Sequence, residues 1–349
     1  HSCLVLQRDE DGSSVRGALS FDPTPDAQVL YKAMKGLGEL TLSITILDIS
    51  CLILLHSVFT SHHCLFPGTD EQAIIDVLTK RSNAQRQQIA RSFKEQFGKD
   101  LIASLKSELS GKFERLIVAL MYSPFKYDAK ELHDSLKGLG TSEGVIIEIL
   151  ASRTKVQIKE IIKAYKEGKA AFATLCVMGA LCLNPSSVRS MPQMSMGAVT
   201  DVFQSQALYA AGEKIRGTDE IQFITILCTR SATHLLRVFD EYQKLASKSL
   251  EDSIRSETHG SLEDAMLAIV KCTRNIHNYF AERLYHALKG AGTCDGTLIR
   301  VIVSRSEIDL NLIKAEFLKI AGKSLSTMIL EDTSGDYKTA LLNLCGSDK

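Results

Sequence analysis

The sequence predicts an all-α protein built from four copies of one helical module. Two observations carry that prediction. Thr69, Thr141, Thr218 and Thr293 recur at intervals of 72, 77 and 75 residues with the same downstream text, and a period this long marks one supersecondary unit used repeatedly. Within the copies the apolar residues fall at helical spacing, and alternating runs of period two are missing.

The elements follow in order from each threonine. Ile74, Ile75, Val77 and Leu78 form the apolar face of a first helix, and Ile89, Phe93 and Phe97 that of a second. The same offsets give Ile146, Ile147, Ile149 and Leu150, and later Leu298, Ile299, Val301 and Ile302. Each threonine precedes acidic or polar residues, such as Asp70-Glu71 and Asp219-Glu220, which reads as N-cap chemistry at that threonine. Twelve residues on stands an arginine (Arg81, Arg153, Arg230, Arg305), followed by a hydroxyl. These arginines read as structural, pairing with carbonyls or acids between modules. Gly98, Gly111, Gly260, Gly322 and Gly335 punctuate the periodic segments.

A second pattern lies across the loops. Gly36-Leu37-Gly38, Gly138-Leu139-Gly140 and Gly290-Ala291-Gly292 are Gly-x-Gly; the third copy has Gly212 and Gly217. Thirty-nine residues after each threonine come Glu108, Ala180, Glu257 and Asp332. One Gly-x-Gly is usually a turn, and one glutamate usually a solvated charge. Their repetition at constant separation is a metal-site pattern. Glycine lets carbonyls turn inward, and a hard cation such as calcium takes six to eight oxygens in flexible geometry.

Composition removes other classes. The 41 basic and 41 acidic side chains cancel, so no bulk attraction to nucleic acid is expected. The nine cysteines form no C-x-x-C pair, which argues against a zinc ribbon or disulfide framework and fits a reducing compartment. No EF-hand loop, Walker A sequence or G-x-S-x-G occurs, so no enzyme is expected. The chain opens on His1 rather than methionine, compatible with an incomplete or processed N-terminus.

The runs Met34-Lys35-Gly36-Leu37-Gly38, Lys289-Gly290-Ala291-Gly292-Thr293, Asp332-Thr333-Ser334-Gly335-Asp336-Tyr337 and Gly212-Glu213-Lys214-Ile215-Arg216-Gly217-Thr218-Asp219-Glu220 resemble the annexin signature. The likeness covers residues 21–38, 70–166 and 207–347. It implies an annexin-type array of four five-helix repeats forming a curved disc, the second incomplete. The implied divisions are a 1–20 tail, repeat one at 21–124, a partial repeat two at 125–167, a non-family stretch at 168–204, repeat three at 205–276 and repeat four at 277–349. It also implies calcium as cofactor. In repeat four the ligands are the carbonyls of Leu288, Gly290 and Gly292 with the Asp332 carboxylate. In repeat three they are the carbonyls of Gly212, Ile215 and Gly217 with Glu257. In repeat one they are Met34, Gly36 and Gly38 with Glu108. Lys35, Arg216 and Lys289 would meet lipid headgroups, each adding about 1 kcal/mol near an anionic surface. The implied function is calcium-dependent binding to anionic phospholipid membranes, by a cytoplasmic protein recruited reversibly to plasma or endosomal membrane, with inhibition of phospholipid-dependent reactions as a consequence.

Two stretches depart from the pattern. Residues 39–68 split the first Gly-x-Gly from Thr69, and Gly68 is placed to replace Gly38. Residues 168–204 replace the end of repeat two, with Ala180 where an acid belongs. Gly38-Glu39 can be encoded GGT-GAG and Gly168-Lys169 GGT-AAG, both containing a splice-donor-like string, so both read as translated introns. Repeat two is accordingly expected to lack a site. Two rival readings remain: an all-helical interaction scaffold without metal, and a membrane span at Leu40–Phe59. The span has the needed length of about 20 residues, but Asp48 sits near its centre.

Overall fold

The computed structural model describes residues 12–35, 68–137, 142–167, 197–212, 219–290 and 292–347. All regular structure among them is helical. Chain order gives α1 (Pro23–Lys35), α2 (Glu71–Leu78), α3 (Asn83–Phe97), α4 (Leu101–Glu108) and α5 (Gly111–Met121). Then come α6 (Pro124–Ser135), α7 (Glu143–Ser152) and α8 (Lys155–Glu167). They are followed by α9 (Gly197–Gly212), α10 (Glu220–Thr229), α11 (Ala232–Ala246), α12 (Leu250–Glu257) and α13 (Ser261–Leu288). The last are α14 (Asp295–Arg305), α15 (Leu310–Ala321), α16 (Leu325–Asp332) and α17 (Gly335–Cys345). Helix α13 is kinked where Asn275 leaves helical geometry, at φ −158° and ψ 100°.

The helix starts differ from the sequence reading by one residue. Asp70, not Thr69, caps α2 by accepting the Ala73 N–H at 2.9 Å, and Asp219 caps α10 by accepting that of Gln222 at 3.1 Å. A carboxylate is the better partner for the positive helix end. The hydroxyl after the arginine caps the next helix in three cases. Ser82, Thr154 and Ser231 accept from the N–H of Gln85, Gln157 and His234. Ser306 instead closes α14, its N–H donating to the Ile302 carbonyl.

Three of the four arginines pair with an acid of their own module rather than between modules. Arg81 makes two bonds to Asp26, at 2.6 and 3.1 Å. Arg153 makes two to Asp128, at 2.7 and 3.0 Å. Arg305 forks onto Asp309, one turn further along. Planar guanidinium matches carboxylate in this two-bond mode.

The chain divides into two compact units. The first comprises residues 1–123, 287–311 and 323–349. Within it α5 and α17 pack on each other and on α2 and α14. Leu116, Ile117, Leu120, Ile299, Ile302, Leu341 and Leu344 are among its fully buried side chains. Buried Arg86 donates to the carbonyls of Leu78, Arg81 and Leu120 and to Glu307 at 2.7 Å, so its charge is fully dressed. Residues 12–18 run along this unit: the Val15 N–H donates to the Ser306 carbonyl at 3.0 Å and the Ser14 hydroxyl to that of Leu344 at 2.6 Å.

The second unit comprises residues 124–286 and 312–322. One of its cores gathers Leu208, Phe223, Leu235, Phe239, Tyr242, Ile254 and Met266 from α9 to α13. Another gathers Leu132, Ile146, Ile149, Ile161 and Tyr165 from α6, α7 and α8. Residues 197–204, read from sequence as the end of the second departure, form the start of α9, and Asp201 pairs with Arg237 at 2.7 Å. The stretches 39–67 and 168–196, including the 40–59 span reading, lie outside the described residues.

The Arg153 and Asp128 side chains are only 7% and 5% exposed, so removing one partner strands a buried charge. Asp128→Ala should lower unfolding free energy by about 3 kcal/mol in urea titrations. Asp76→Ala, which breaks the exposed one-turn pair with Lys80, should cost no more than about 0.5 kcal/mol. Equal effects would show that the buried fork does not hold α6 to the Arg153 turn.

Candidate metal-binding loops

Every repeat closes its loop in the same way. The residue after the threonine donates its N–H to a carbonyl near the end of the preceding helix: Asp70 to Ala33 at 2.9 Å, Ser142 to Ser135 at 2.9 Å, Asp219 to Ala211 at 2.9 Å and Cys294 to Ala287 at 2.8 Å. In the first repeat the closure spans thirty more residues than in the fourth, yet the bond is the same. The extra segment therefore leaves the loop ends in register.

The distant acid is the final residue of a short helix in three repeats. Glu108 ends α4, Glu257 ends α12 and Asp332 ends α16. A helix C-terminus is its negative pole, and a carboxylate there costs roughly 0.3–1 kcal/mol unless a cation answers it. The chain then turns through Gly111, Gly260 and Gly335, at φ 63°, 68° and 62°. Glu108 and Asp332 are exposed and Glu257 is half-buried.

The thirty-nine-residue spacing is a contact in space. The Thr69 hydroxyl donates to Glu108 Oε2 at 3.1 Å. The Thr293 hydroxyl donates to the Asp332 carbonyl at 3.4 Å. In the third repeat, a methyl group built on Gly212 would lie 3.7 Å from Glu257 Cγ. The threonine that reads as a helix cap is instead the link between loop and acid.

The fourth loop is described most fully. Gly290 and Gly292 have φ of 137° and 122°, and nothing lies within 4 Å of a Cβ placed on either. Backbone conformation rather than space demands glycine there. Leu288 anchors the loop with a buried side chain, while Lys289 is exposed. In the first repeat Met34 is buried, and Lys35 is exposed with its Nζ 4.7 Å from the centre of the Tyr31 ring. Gly36, Gly38, Ile215, Arg216 and Gly217 lie outside the described residues, as does position 180. Thus Thr293 meets Asp332, Gly212 lies beside Glu257 and Thr69 meets Glu108.

Among the described residues no group of three or more His, Cys, Asp or Glu could hold a metal. A single carboxylate among backbone carbonyls would suit a hard cation such as calcium and not a soft thiolate-seeking one. No helix among the described residues is long and apolar enough to cross a membrane.

The annexin family model matches residues 66–120, 127–169, 203–269 and 279–344. Bovine and human annexin A8 are each 61% identical over 97% of this chain and 97% of their own length. Among solved structures, a point mutant of annexin A8 with an intact N-terminus superposes with a TM-score of 0.80 at 61% identity, covering 97% of this chain and 99% of that one. Chicken annexin V in complex with Zn2+ gives 0.78 at 44% identity, covering 96% and 99%. Calcium-bound annexin (Sm)1 gives 0.74 at 27% identity, covering 96% and 93%.

The geometry of the fourth loop sets a direct test. Gly292→Val should cost roughly 1–3 kcal/mol of stability through backbone strain alone, read from the denaturation midpoint. Unchanged stability would mean that the loop does not require the glycine conformation.

Proposed function

The chain belongs to the annexin family, and from that premise we propose that it binds anionic phospholipid membranes through calcium ions bridging its interhelical loops to lipid phosphate. The observation that carries this reading is an acid ending a short helix and set against the loop, through its threonine in repeats one and four and its glycine in repeat three. A scaffold has no reason to keep a carboxylate there. The protein acts by binding, not by catalysis.

In repeat four the ligands are the carbonyls of Leu288, Gly290 and Gly292 with Asp332. Repeat three uses the carbonyls of Gly212, Ile215 and Gly217 with Glu257. Repeat one uses Met34, Gly36 and Gly38 with Glu108, and its preserved loop closure supports a working site there. Repeat two, with Ala180 in place of the acid, contributes none. One carboxylate is little charge for a divalent ion, so free calcium binds weakly. Lipid phosphate completes the oxygen shell, and calcium and lipid then strengthen each other's binding by the same factor. Lys35, Arg216 and Lys289 add a modest attraction to the headgroup layer. The setting is the cytoplasmic face of plasma or endosomal membrane, with reversible peripheral attachment.

Cosedimentation with phosphatidylserine vesicles tests the reading: the protein should pellet in calcium and be released by chelator. Asp332→Ala and Glu257→Ala should each raise the calcium needed for half-maximal pelleting, and the double variant should raise it most. Unchanged titrations for both single variants would show that these carboxylates are not ligands. Pelleting that survives chelator would assign binding to another device.

A further inference from the structure

The acid turn of repeat one is tied to the glycine loop of repeat four. Lys112 stands four residues after Glu108, just past the turn at Gly111. Its Nζ lies 2.7 Å from Asp295 Oδ2. Asp295 stands three residues after Gly292 and opens α14. Both residues belong to the first unit, where α5 and α14 pack together with α17 against both. A Cβ on Gly296 would lie 3.1 Å from a terminal nitrogen of Arg115, so α5 and α14 approach closely at that glycine. Tyr337, five residues after Asp332, is buried, and its hydroxyl has no hydrogen-bond partner among the described residues. Burial and then the Asp295 charge push that hydroxyl above the usual tyrosine range. Asp295 therefore acts on the acid turn of its own repeat as well as on that of repeat one.

Repeats two and three make the same contact with different chemistry. Ser261 follows the turn glycine Gly260 of repeat three, and its hydroxyl donates to Glu143, two residues after Thr141 of repeat two. Asp295 likewise stands two residues after Thr293, and Lys112 follows Gly111. A hydroxyl thus takes the place of the Lys112 ammonium. In that pair the contact joins the acid turn of repeat three to a loop whose own acid is replaced by Ala180. Repeats one and four are the pair that keeps an acid in both members, Glu108 and Asp332.

Building on the calcium reading above, we infer that Lys112 is a positioning residue that couples the calcium sites of repeats one and four through Asp295. Calcium at either site fixes the loop or turn at one end of the ion pair. The other site then forms with part of its ordering already done, and the effect runs equally in both directions. Lys112 is 60% exposed, and an exposed ion pair is a weak link, so the coupling amounts to about threefold in calcium affinity. The site of repeat three stands outside this coupling.

The test is a calcium titration of the full chain without vesicles, since a membrane would link every loop. The chain has no tryptophan, so Ala291→Trp, between the two glycines of the fourth loop, supplies an emission signal for that site. In this background Glu108→Ala should raise the calcium midpoint of site four about threefold. Lys112→Met should do the same, and the two changes together should raise it no further. Lys112→Arg, which keeps the charge, should leave the midpoint in place, as should Glu257→Ala. A merely structural role for Lys112 would lower the thermal midpoint of Lys112→Met but leave the Glu108→Ala shift intact. An unmoved midpoint in Glu108→Ala, an equal shift from Glu257→Ala, or a Glu108→Ala shift undiminished in Lys112→Met would each overturn the coupling. Asp332→Ala separates this from the calcium reading itself. It should weaken site four directly, and an unchanged titration there would remove both the site and the coupling.

Discussion

Each repeat depends on one backbone hydrogen bond. It runs from the residue after the threonine to a carbonyl near the end of the preceding helix, and in repeats one, three and four the loop it closes lies by the short helix that ends in the acid. With that bond made, Thr69 reaches Glu108, Thr293 reaches Asp332 and Gly212 lies against Glu257. Without it the carboxylate would stand alone at a negative helix end, an unfavourable place for an anion. On the proposed reading, a bound cation would relieve the charge held at that helix end.

The same bond explains how repeat one tolerates its interruption. Even for an unstructured connection, closing a loop costs only about 0.6 kcal/mol per doubling of length. Thirty residues added to a loop of about six therefore cost on the order of 1.6 kcal/mol. That is small beside the burial of Leu30, Ile74, Ile75 and Phe93 around the loop ends, each worth about 1.5–3 kcal/mol. Whatever the origin of residues 39–68, their insertion leaves α1 and α2 joined as in the other repeats.

Much of this was legible in the sequence, because repetition turns weak signals into columns. The spacing from threonine to acid proved to be a contact, and the helical class followed from apolar period. Other features were hidden by their nature. The threonine hydroxyl looked like a cap because caps and acid-linking hydroxyls use the same residue types, and only geometry showed that Asp70 and Asp219 cap while Thr69 points at Glu108. The arginines looked alike as well. Their partners Asp26 and Asp128 precede them by whole loops, and Asp309 follows by one turn. Capping by Ser82, Thr154 and Ser231 was present as a column of hydroxyls, but its meaning needed the helix boundaries.

Calcium bridging and diffuse charge attraction are the two ways such a surface could hold a membrane, and salt separates them. The net formal charge is zero, so diffuse attraction is weak and screened within about 8 Å at physiological ionic strength. Coordination by carbonyl, carboxylate and lipid phosphate acts at contact distance and is screened far less. The decisive measurement is release from anionic vesicles at fixed calcium across a monovalent salt series, beside a chelator control. The bridging account predicts that protein stays bound through moderate salt and leaves when calcium is chelated. Complete release by moderate salt with calcium still present would contradict it.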